Sequence, residues 1–347
     1  MAKRLYFINM IRIGQIGVGN WGKNLLRNFT GHPETELVAI SDTSQYVMDN
    51  MARRYPQAEL YPDAQKLIRE SGTEAIVIAT ESSTHFRFAF EALEQGKHVF
   101  VEKPMALVPE EAERLAELAA LRGLVLMVGH LLMYHPAYLK AKELMDAGEL
   151  GDIQYMYSTR VNLGVVRHDE NALWSLAPHD ISIALMFMQD SPESVVCTGQ
   201  NILQPGIEDV AFLTIHFPNH RMAHVHVSWL DPHKVRQLTV VGSQKMVVVD
   251  DMEANEKVRV YDKGVDKKVE FASYSDMLTL REGDILVPRI EMREPLRLEC
   301  DQFVKSIQGG APPPSDGTNG LKVVRVLAAA DQSLKNGGVP VEIGQTI

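Results

Sequence analysis

Ile11-Arg12-Ile13-Gly14-Gln15-Ile16-Gly17-Val18-Gly19-Asn20-Trp21-Gly22 decides the fold. The first six residues form an apolar-rich run that reads as a strand. It stops at Gly17, and Asn20 to Thr30 reads as a helix broken by Gly31-His32-Pro33. A G-x-G-x-x-G spacing therefore falls directly between strand and helix. In that position Gly17 permits the tight turn, Gly19 leaves room for a pyrophosphate against the backbone, and Gly22 allows close helix–strand packing. The helix N-terminus itself attracts phosphate. Without a ligand the same hexamer is only a glycine-rich turn, and the strand–turn–helix context argues against that.

Asp42 lies twenty residues beyond Gly22, after a second strand over Glu36 to Ile40. An acidic residue there accepts hydrogen bonds from the adenosine ribose hydroxyls and repels a 2′-phosphate. NAD is thus expected rather than NADP. Asp42 also suits the N-cap of the next helix, Gln45 to Tyr55.

The alternation continues outward. Helix is expected over Asp63 to Ser71, Thr84 to Gln95 and Pro109 to Arg122. Strands are expected over Ala75 to Ala79, His98 to Val101 and Leu124 to Val128. Buried strands between helices indicate a doubly wound parallel sheet. Ala79-Thr80-Glu81-Ser82-Ser83-Thr84-His85 follows one of them and would lie over the cofactor, with Ala79, Thr80 and His85 in contact. Glu102-Lys103-Pro104 follows another. A lysine there faces the crevice where open parallel sheets bind ligands. Glu102 is a possible ion-pair partner for it. Proline stops the strand sharply. Near an oxidised nicotinamide the lysine pKa should fall, so that Lys103 can share a proton with a substrate hydroxyl. A solvated surface lysine is the ordinary alternative.

The pattern changes near residue 150. A helix over His135 to Ala147 is followed mostly by strands: Ile153 to Asn162, Val195 to Leu203, Val210 to Phe217, Met222 to Trp229, Gln237 to Val249 and Lys257 to Tyr261. One helix, Pro178 to Met188, interrupts them. Helices Leu296 to Gln308 and Gly320 to Asn336 close the chain. The expected fold is α/β: an N-terminal Rossmann domain over 10–130, then an α+β domain over 131–347 for substrate and oligomerisation. The second domain carries an open-faced, largely antiparallel sheet, and the final helices pack back on the first domain.

Trp174-Ser175-Leu176-Ala177-Pro178-His179-Asp180 is the second candidate site. If Pro178 starts the helix, His179 sits in its first turn, where the dipole keeps the imidazole neutral and able to take a proton. Asp180 then caps the helix or orients the ring. Arg160, Asn162, Arg167, His168 and Asn171 precede it, and two arginines suit phosphate or carboxylate binding. His224 and His226 alternate on one strand face and, with Trp229, line a substrate surface or a subunit interface.

Composition narrows the class further. The 347 residues carry a net charge of −10, which argues against nonspecific nucleic-acid binding. Cys197 and Cys300 are too few for a disulfide framework and lack metal-ligand spacing, so reduced thiols in a cytoplasmic protein, and no metal, are expected. No run is long enough to span a membrane. Residues 1–9 lack a small-residue cleavage site and read as an added leader, with Met10 a possible start.

Gly17-Val-Gly-Asn-Trp-Gly22, Glu102-Lys103-Pro104 and Pro178-His179-Asp180 together resemble the Gfo/Idh/MocA family of oxidoreductases. The resemblance spans both domains from Ile11 onward. It implies a Rossmann domain, NAD(P), sugar or cyclitol substrates, and dimers or tetramers built through the sheet face. Many relatives carry an aspartate four residues before the histidine, where this chain has Ser175, so Lys103 and His179 would carry the proton chemistry. Asn162-Leu-Gly-Val-Val-Arg167, Leu173-Trp-Ser-Leu-Ala-Pro-His-Asp-Ile181 and His224-Val-His-Val-Ser-Trp-Leu-Asp-Pro232 resemble sugar-nucleotide dehydrogenases of the UDP-N-acetylglucosamine 3-dehydrogenase type. That implies 3-keto sugars destined for 3-amino sugars of surface polysaccharide or lipid A. It also implies substrate contacts from Arg160, Asn162, Arg167, Asn171, Trp174 and Asp180. Rival readings are a dehydrogenase of a free cyclitol or monosaccharide, a non-catalytic dinucleotide-binding regulator, and a glycosidase that uses NAD transiently.

Overall fold

The computed structural model describes residues 10–267 and 278–344, so the expected leader over 1–9 lies outside the described residues. The chain divides into two compact units. One comprises residues up to Leu131 together with Glu294–Val324, and the other comprises Leu132–Arg293 together with residues from Arg325 onward.

The first unit is built on six parallel strands: β1 (Ile11–Ile16), β2 (Thr35–Ser41), β3 (Glu59–Tyr61), β4 (Ala75–Ile78), β5 (His98–Val101) and β6 (Leu126–Val128). Their order is β3-β2-β1-β4-β5-β6. Helices α1 (Gly22–Thr30), α2 (Gln45–Arg54), α3 (Ala64–Glu70), α4 (Ser82–Glu94) and α5 (Pro109–Arg122) connect them. β4 is buried along its whole length, which explains its unbroken apolar sequence in a sheet covered on both faces. α5 begins on Pro109, carries Glu110 and Glu111 in its first turn, and ends at Gly123 with φ +64°. The proline lacks only an N–H that the first turn leaves unpaired, the acids complement the dipole, and glycine accepts the left-handed cap. The order reverses between β1 and β4, which opens a crevice at the carboxyl ends of these strands.

The second unit contains α6 (Pro136–Asp146), β7 (Ile153–Val161), α7 (Ala172–Met188), β8 (Ser194–Gln200), β9 (Val210–Phe217), β10 (Arg221–Ser228), β11 (Val235–Gly242), β12 (Met246–Asp250), β13 (Val258–Lys267) and β14 (Leu278–Leu286). Its sheet is mixed and mostly antiparallel, and among the described residues only β7 and β10 pair in parallel. On β7, Met156, Ser158 and Arg160 are buried while Tyr155 and Tyr157 are exposed. That two-residue alternation marks one covered and one open face. α8 (Pro295–Ile307) then belongs to the first unit, and α9 (Gly317–Lys335) begins there and ends in the second, before β15 (Val341–Glu342) pairs with β8. α8 docks through Phe303, whose ring meets Phe29 and Phe100 edge to face at 5.9 and 5.7 Å. Each such buried ring contributes roughly 1.5–3 kcal/mol of transfer free energy.

Three expectations are corrected. The single strand read over Gln237 to Val249 is a hairpin, closed where Gly242 N–H donates to Lys245 O at 3.0 Å. Gly242-Ser243-Gln244-Lys245 makes the turn, and the single-strand reading passes over its glycine and polar residues. The strand expected over Lys257 to Tyr261 extends to Lys267 as β13 and pairs with β14, because charges break the apolar alternation there without breaking the ladder. Arg281 Nε bonds Asp262 across these strands at 3.1 Å. The third correction concerns α7. It starts at Ala172, not Pro178, and Asn171 Oδ1 caps it by accepting from Trp174 N–H at 3.1 Å. A proline inside a helix costs about 3 kcal/mol. Here the buried stripe Leu173, Ala177, Ile181 and Ala184 outweighs that cost.

Candidate active site

In the first unit the expected dinucleotide residues follow the carboxyl ends of parallel strands, except His85, which lies in the first turn of the helix after β4. The glycine loop follows β1, Asp42 follows β2, Ala79 and Thr80 follow β4, and Glu102 and Lys103 follow β5. Gly17 has φ +87°, and an added Cβ there would meet Ala79 O at 2.5 Å. A Cβ on Gly22 would meet Gly17 O at 2.3 Å, whereas one on Gly19 would enter open space. Gly19 therefore leaves the concavity that a pyrophosphate needs beside the N-terminus of α1, and the cradle fits NAD. Gln15, which the motif reading passes over, braces this loop. Its buried Nε2 donates to Gly17 O at 2.9 Å and to Gly22 O at 2.7 Å. A polar residue inside an apolar strand is the signal that could have found it.

Asp42 Oδ2 accepts from Val18 N–H at 2.8 Å and Oδ1 from Ser44 N–H at 2.9 Å. Ser44, not Asp42, caps α2, because its side chain accepts from Val47 N–H. Each Asp42 oxygen keeps a second acceptor site for a ribose hydroxyl. Thr80 Oγ1 lies 2.6 Å from Thr84 Oγ1. His85 is buried, with Nδ1 2.8 Å from Pro104 O and Nε2 3.1 Å from Thr80 O. It staples the β4 turn to the segment after β5, where the Lys103–Pro104 peptide is cis.

Glu102 joins two parts of the cradle. Its Oε1 accepts from the indole Nε1–H of Trp21, and its Oε2 accepts from the backbone N–H of Lys103 at 3.2 Å. Burial pushes the Glu102 carboxyl up to about 7, while the Lys103 charge and the Trp21 bond pull it back. Two neighbours belong to no motif in the sequence. His130 is buried, and burial, then the Lys103 charge, lowers it to about 3. Glu299 is buried on α8, and burial, then the charge of Glu102, raises it well above the usual carboxylate range.

In the second unit His179 lies in the third turn of α7, so the helix-terminus effect expected for it does not apply. Asp180 caps nothing. Its carboxylate takes Arg160 Nε–H at 2.5 Å and Nη2–H at 3.3 Å, both residues being buried. Burial opposes the Arg160 charge, but Asp180, Tyr138 and Asp251 together outweigh it and the guanidinium pKa is raised. The pair ties α7 to β7. Asn162 Oδ1 accepts from Arg236 at 3.0 Å, Asn171 Nδ2 donates to Glu208 at 2.8 Å, and the exposed Arg167 pairs with Glu170 at 3.2 Å. His168 Nδ1 lies 2.6 Å from Gln204 Oε1, and Trp174 is partly buried in the first turn of α7. On the open sheet face His226 stacks on Phe212 at 4.4 Å, and His224 Nδ1 lies 3.0 Å from Thr214 Oγ1. Trp229 is buried, and its indole donates to Asp209. Both cysteines are free and buried. Among the described residues no three His, Cys, Asp or Glu are arranged to hold a metal, and no helix is long and apolar enough to cross a membrane.

A glycine cradle at a topological switch point, with an acid after β2 and a lysine after β5, defines a dinucleotide-dependent oxidoreductase. Comparison with known proteins makes this specific. Residues 11–130 match the model described as oxidoreductase family, NAD-binding Rossmann fold, and residues 138–248 match the GFO/IDH/MocA C-terminal domain. The chain belongs to the Gfo/Idh/MocA family and is an oxidoreductase with NAD as cofactor. UDP-N-acetylglucosamine 3-dehydrogenase of Acidithiobacillus ferrooxidans is 28% identical over 93% of this chain and 96% of its own. The NAD(+)-dependent scyllo-inositol 2-dehydrogenase of Bacillus subtilis is 25% identical over 96% and 97%. A structure of the Acidithiobacillus enzyme superposes with a TM-score of 0.80 at 24% identity, covering 94% of this chain and 98% of that one. Scyllo-inositol dehydrogenase of Lactobacillus casei, solved with NAD(H) and scyllo-inositol, gives 0.77 at 20% identity, covering 97% and 100%.

Proposed function

We propose that the protein oxidises a secondary hydroxyl of a UDP-N-acetylhexosamine, at C3, to a ketone. The observation that carries the chemistry is the placement of Lys103 after β5, on the same strand edge as the glycine cradle and Asp42. The choice of a sugar nucleotide is supported by the 28% identity to the Acidithiobacillus enzyme across nearly the whole chain. Bound NAD supplies the hydride acceptor. Lys103 hydrogen-bonds the carbinol oxygen and stabilises its developing negative charge. His179 takes the hydroxyl proton as general base. Ser175 stands where many relatives have an aspartate, so these two side chains carry the proton chemistry alone. Arg167, exposed and paired with Glu170, is the candidate for the diphosphate, with Asn162, Asn171 and Trp174 beside it in sequence. Arg160 and Asp180 serve as the buried tie that positions the helix bearing His179.

The product would be a 3-keto sugar, the substrate class for an aminotransferase that makes 3-amino sugars for surface polysaccharide or lipid A. We place the enzyme in the cytoplasm, as a homodimer or homotetramer formed through the open sheet face bearing Tyr155, Tyr157, Phe212 and Met222. Light scattering of a Tyr157→Lys variant tests that interface.

The decisive experiment follows NADH absorbance with NAD and a panel of UDP-sugars, coupled to an aminotransferase to draw the oxidation forward. Turnover confined to a UDP-N-acetylhexosamine supports the proposal. Turnover of free sugars or cyclitols alone overturns it. That second reading draws support from the inositol dehydrogenase relative. UDP distinguishes the two, because only a nucleotide-sugar enzyme is stabilised against heat by it.

A further inference from the structure

Glu299 belongs to no motif. It is fully buried on α8, and neither carboxyl oxygen has a hydrogen-bond partner among the described residues. The fold places it beside Glu102. The β5 ladder continues to Glu102, whose N–H donates to Ile78 O at 2.9 Å, so Phe100 and Glu102 share a strand face. Glu299 and Phe303 lie one turn apart on one face of α8. The Phe100 and Phe303 rings meet at 5.7 Å, and this brings the two glutamates into register. The remaining wall is β6 and its exit. A Cβ on Gly129 would sit 3.0 Å from the Glu102 carboxyl, and the next residue, His130, is buried with neither ring nitrogen partnered among the described residues.

The charged and titratable groups around the pair are few. Lys103 acts on Glu102 and on His130, and Glu102 acts on Glu299. Cys300, a buried thiol on the same helix, feels Glu299, Asp301, Arg297 and Glu102. Glu102 has two N–H donors and a nearby cation, whereas Glu299 has neither donor nor water-facing surface. Two neighbouring carboxylates, one buried and one partly buried, do not both ionise. The charge therefore resides on Glu102 and the proton on Glu299.

We propose that Glu299 is a positioning residue of the dinucleotide cradle. Its buried carboxyl, kept neutral, steadies the Glu102 carboxylate, which in turn holds Trp21 of the glycine loop and the Lys103 backbone. Glu299 touches neither cofactor nor substrate in this role. It acts through Glu102 on the loop that receives the pyrophosphate.

Glu299→Gln keeps a neutral polar group of the same size, and Glu299→Leu removes the polarity. Trp21 reports on Glu102 through its fluorescence, isolated as wild type minus Trp21→Phe, and titrated from about pH 5 to about pH 9. NAD affinity is measured calorimetrically on the same samples. The expected result is a Trp21 transition that Gln leaves in place with NAD affinity within about twofold. Leu moves the transition up by about one pH unit and weakens NAD about tenfold at neutral pH. A downward shift with Gln overturns the proposal, because it means that Glu299 was ionised. A Leu variant that behaves as wild type also overturns it, because Glu299 is then mere filler. Infrared difference spectra of wild type minus Gln need no Leu variant: a protonated-acid band persisting across this pH range supports the proposal, and a carboxylate band refutes it.

Discussion

Trp21 and Glu102, 81 residues apart, are joined by a hydrogen bond from the indole Nε1–H to Oε1 of the carboxylate. It links the glycine loop after β1 to the end of β5. Trp21→Phe keeps the ring and deletes the donor, leaving a partly buried acceptor short of one bond. Hydrogen bonds to charged groups contribute about 1.5–3 kcal/mol. NAD affinity should weaken roughly tenfold, and the melting temperature should fall by a few degrees. Calorimetric titration with NAD checks it, and an unchanged Kd refutes the link.

Gly17 and Gly19 should respond differently to substitution. Gly19→Val adds atoms into open space, so folding should be normal while NAD binding is lost. Gly17→Ala drives a methyl into the Ala79 carbonyl at positive φ and should cost stability as well. Circular dichroism melts paired with NAD binding separate the two outcomes. Normal NAD affinity in Gly19→Val would exclude this cradle as the pyrophosphate site.

Lys103→Ala should lower turnover by about 10²–10⁴-fold, the range for removal of an acid–base group, with NAD affinity nearly intact. Equal loss of binding and turnover would instead identify Lys103 as a structural residue. Steady-state kinetics on the best substrate of the panel, with NAD titration of the same variant, decides between them.

Arg160→Met leaves Asp180 buried and charged without its partner, and should cost about 3–5 kcal/mol in urea unfolding. Adding Asp180→Leu should recover most of that loss, because two apolar groups need no pairing. A double variant as unstable as the single one would show that the pair does more than tie α7 to β7.

Acid sensitivity should centre on His130. Its folded-state pKa is lowered from 6.5 to about 3, so the unfolded chain binds the proton first as pH falls. Stability is therefore lost progressively between about pH 6.5 and about pH 3, by about 1.4 kcal/mol for each pH step of one within that window. Glu102 has the opposite sign. Its pKa is raised from 4.5 to about 7, so its contribution is lost as pH rises through that window. His130→Leu should gain on wild type as pH falls below about 6.5. Denaturant melts at several pH values test this, and a pH-independent difference contradicts it.

The local code of the first unit is readable because its signals are short-range. The order of its strands and helices, the glycine spacing and the acid after β2 all follow from periodicity, breakers and motif position along a continuous stretch. In the second unit, α7 shows where local rules fail. Pro178 reads as a helix start because its own preferences are local, yet the helix begins at Asn171–Ala172, because burial of Leu173, Ala177 and Ile181 outweighs one proline. Glu299 is partly legible, since it falls on the apolar stripe of α8 with Leu296, Cys300 and Phe303. Nothing along the chain reveals that this stripe meets Phe100 of β5 and Phe29 of α1.

By itself the sequence determined the family, the NAD-binding fold and the two-part architecture, since each motif and element rests on neighbours within a few tens of residues. Only the tertiary structure decided that Glu102 binds Trp21, that Glu299 is buried with both carboxyl oxygens unpartnered among the described residues, and that Asp180 is committed to Arg160. The first and last are pairings between distant segments. They depend on which faces pack together and on how burial divides charge between the groups that meet there.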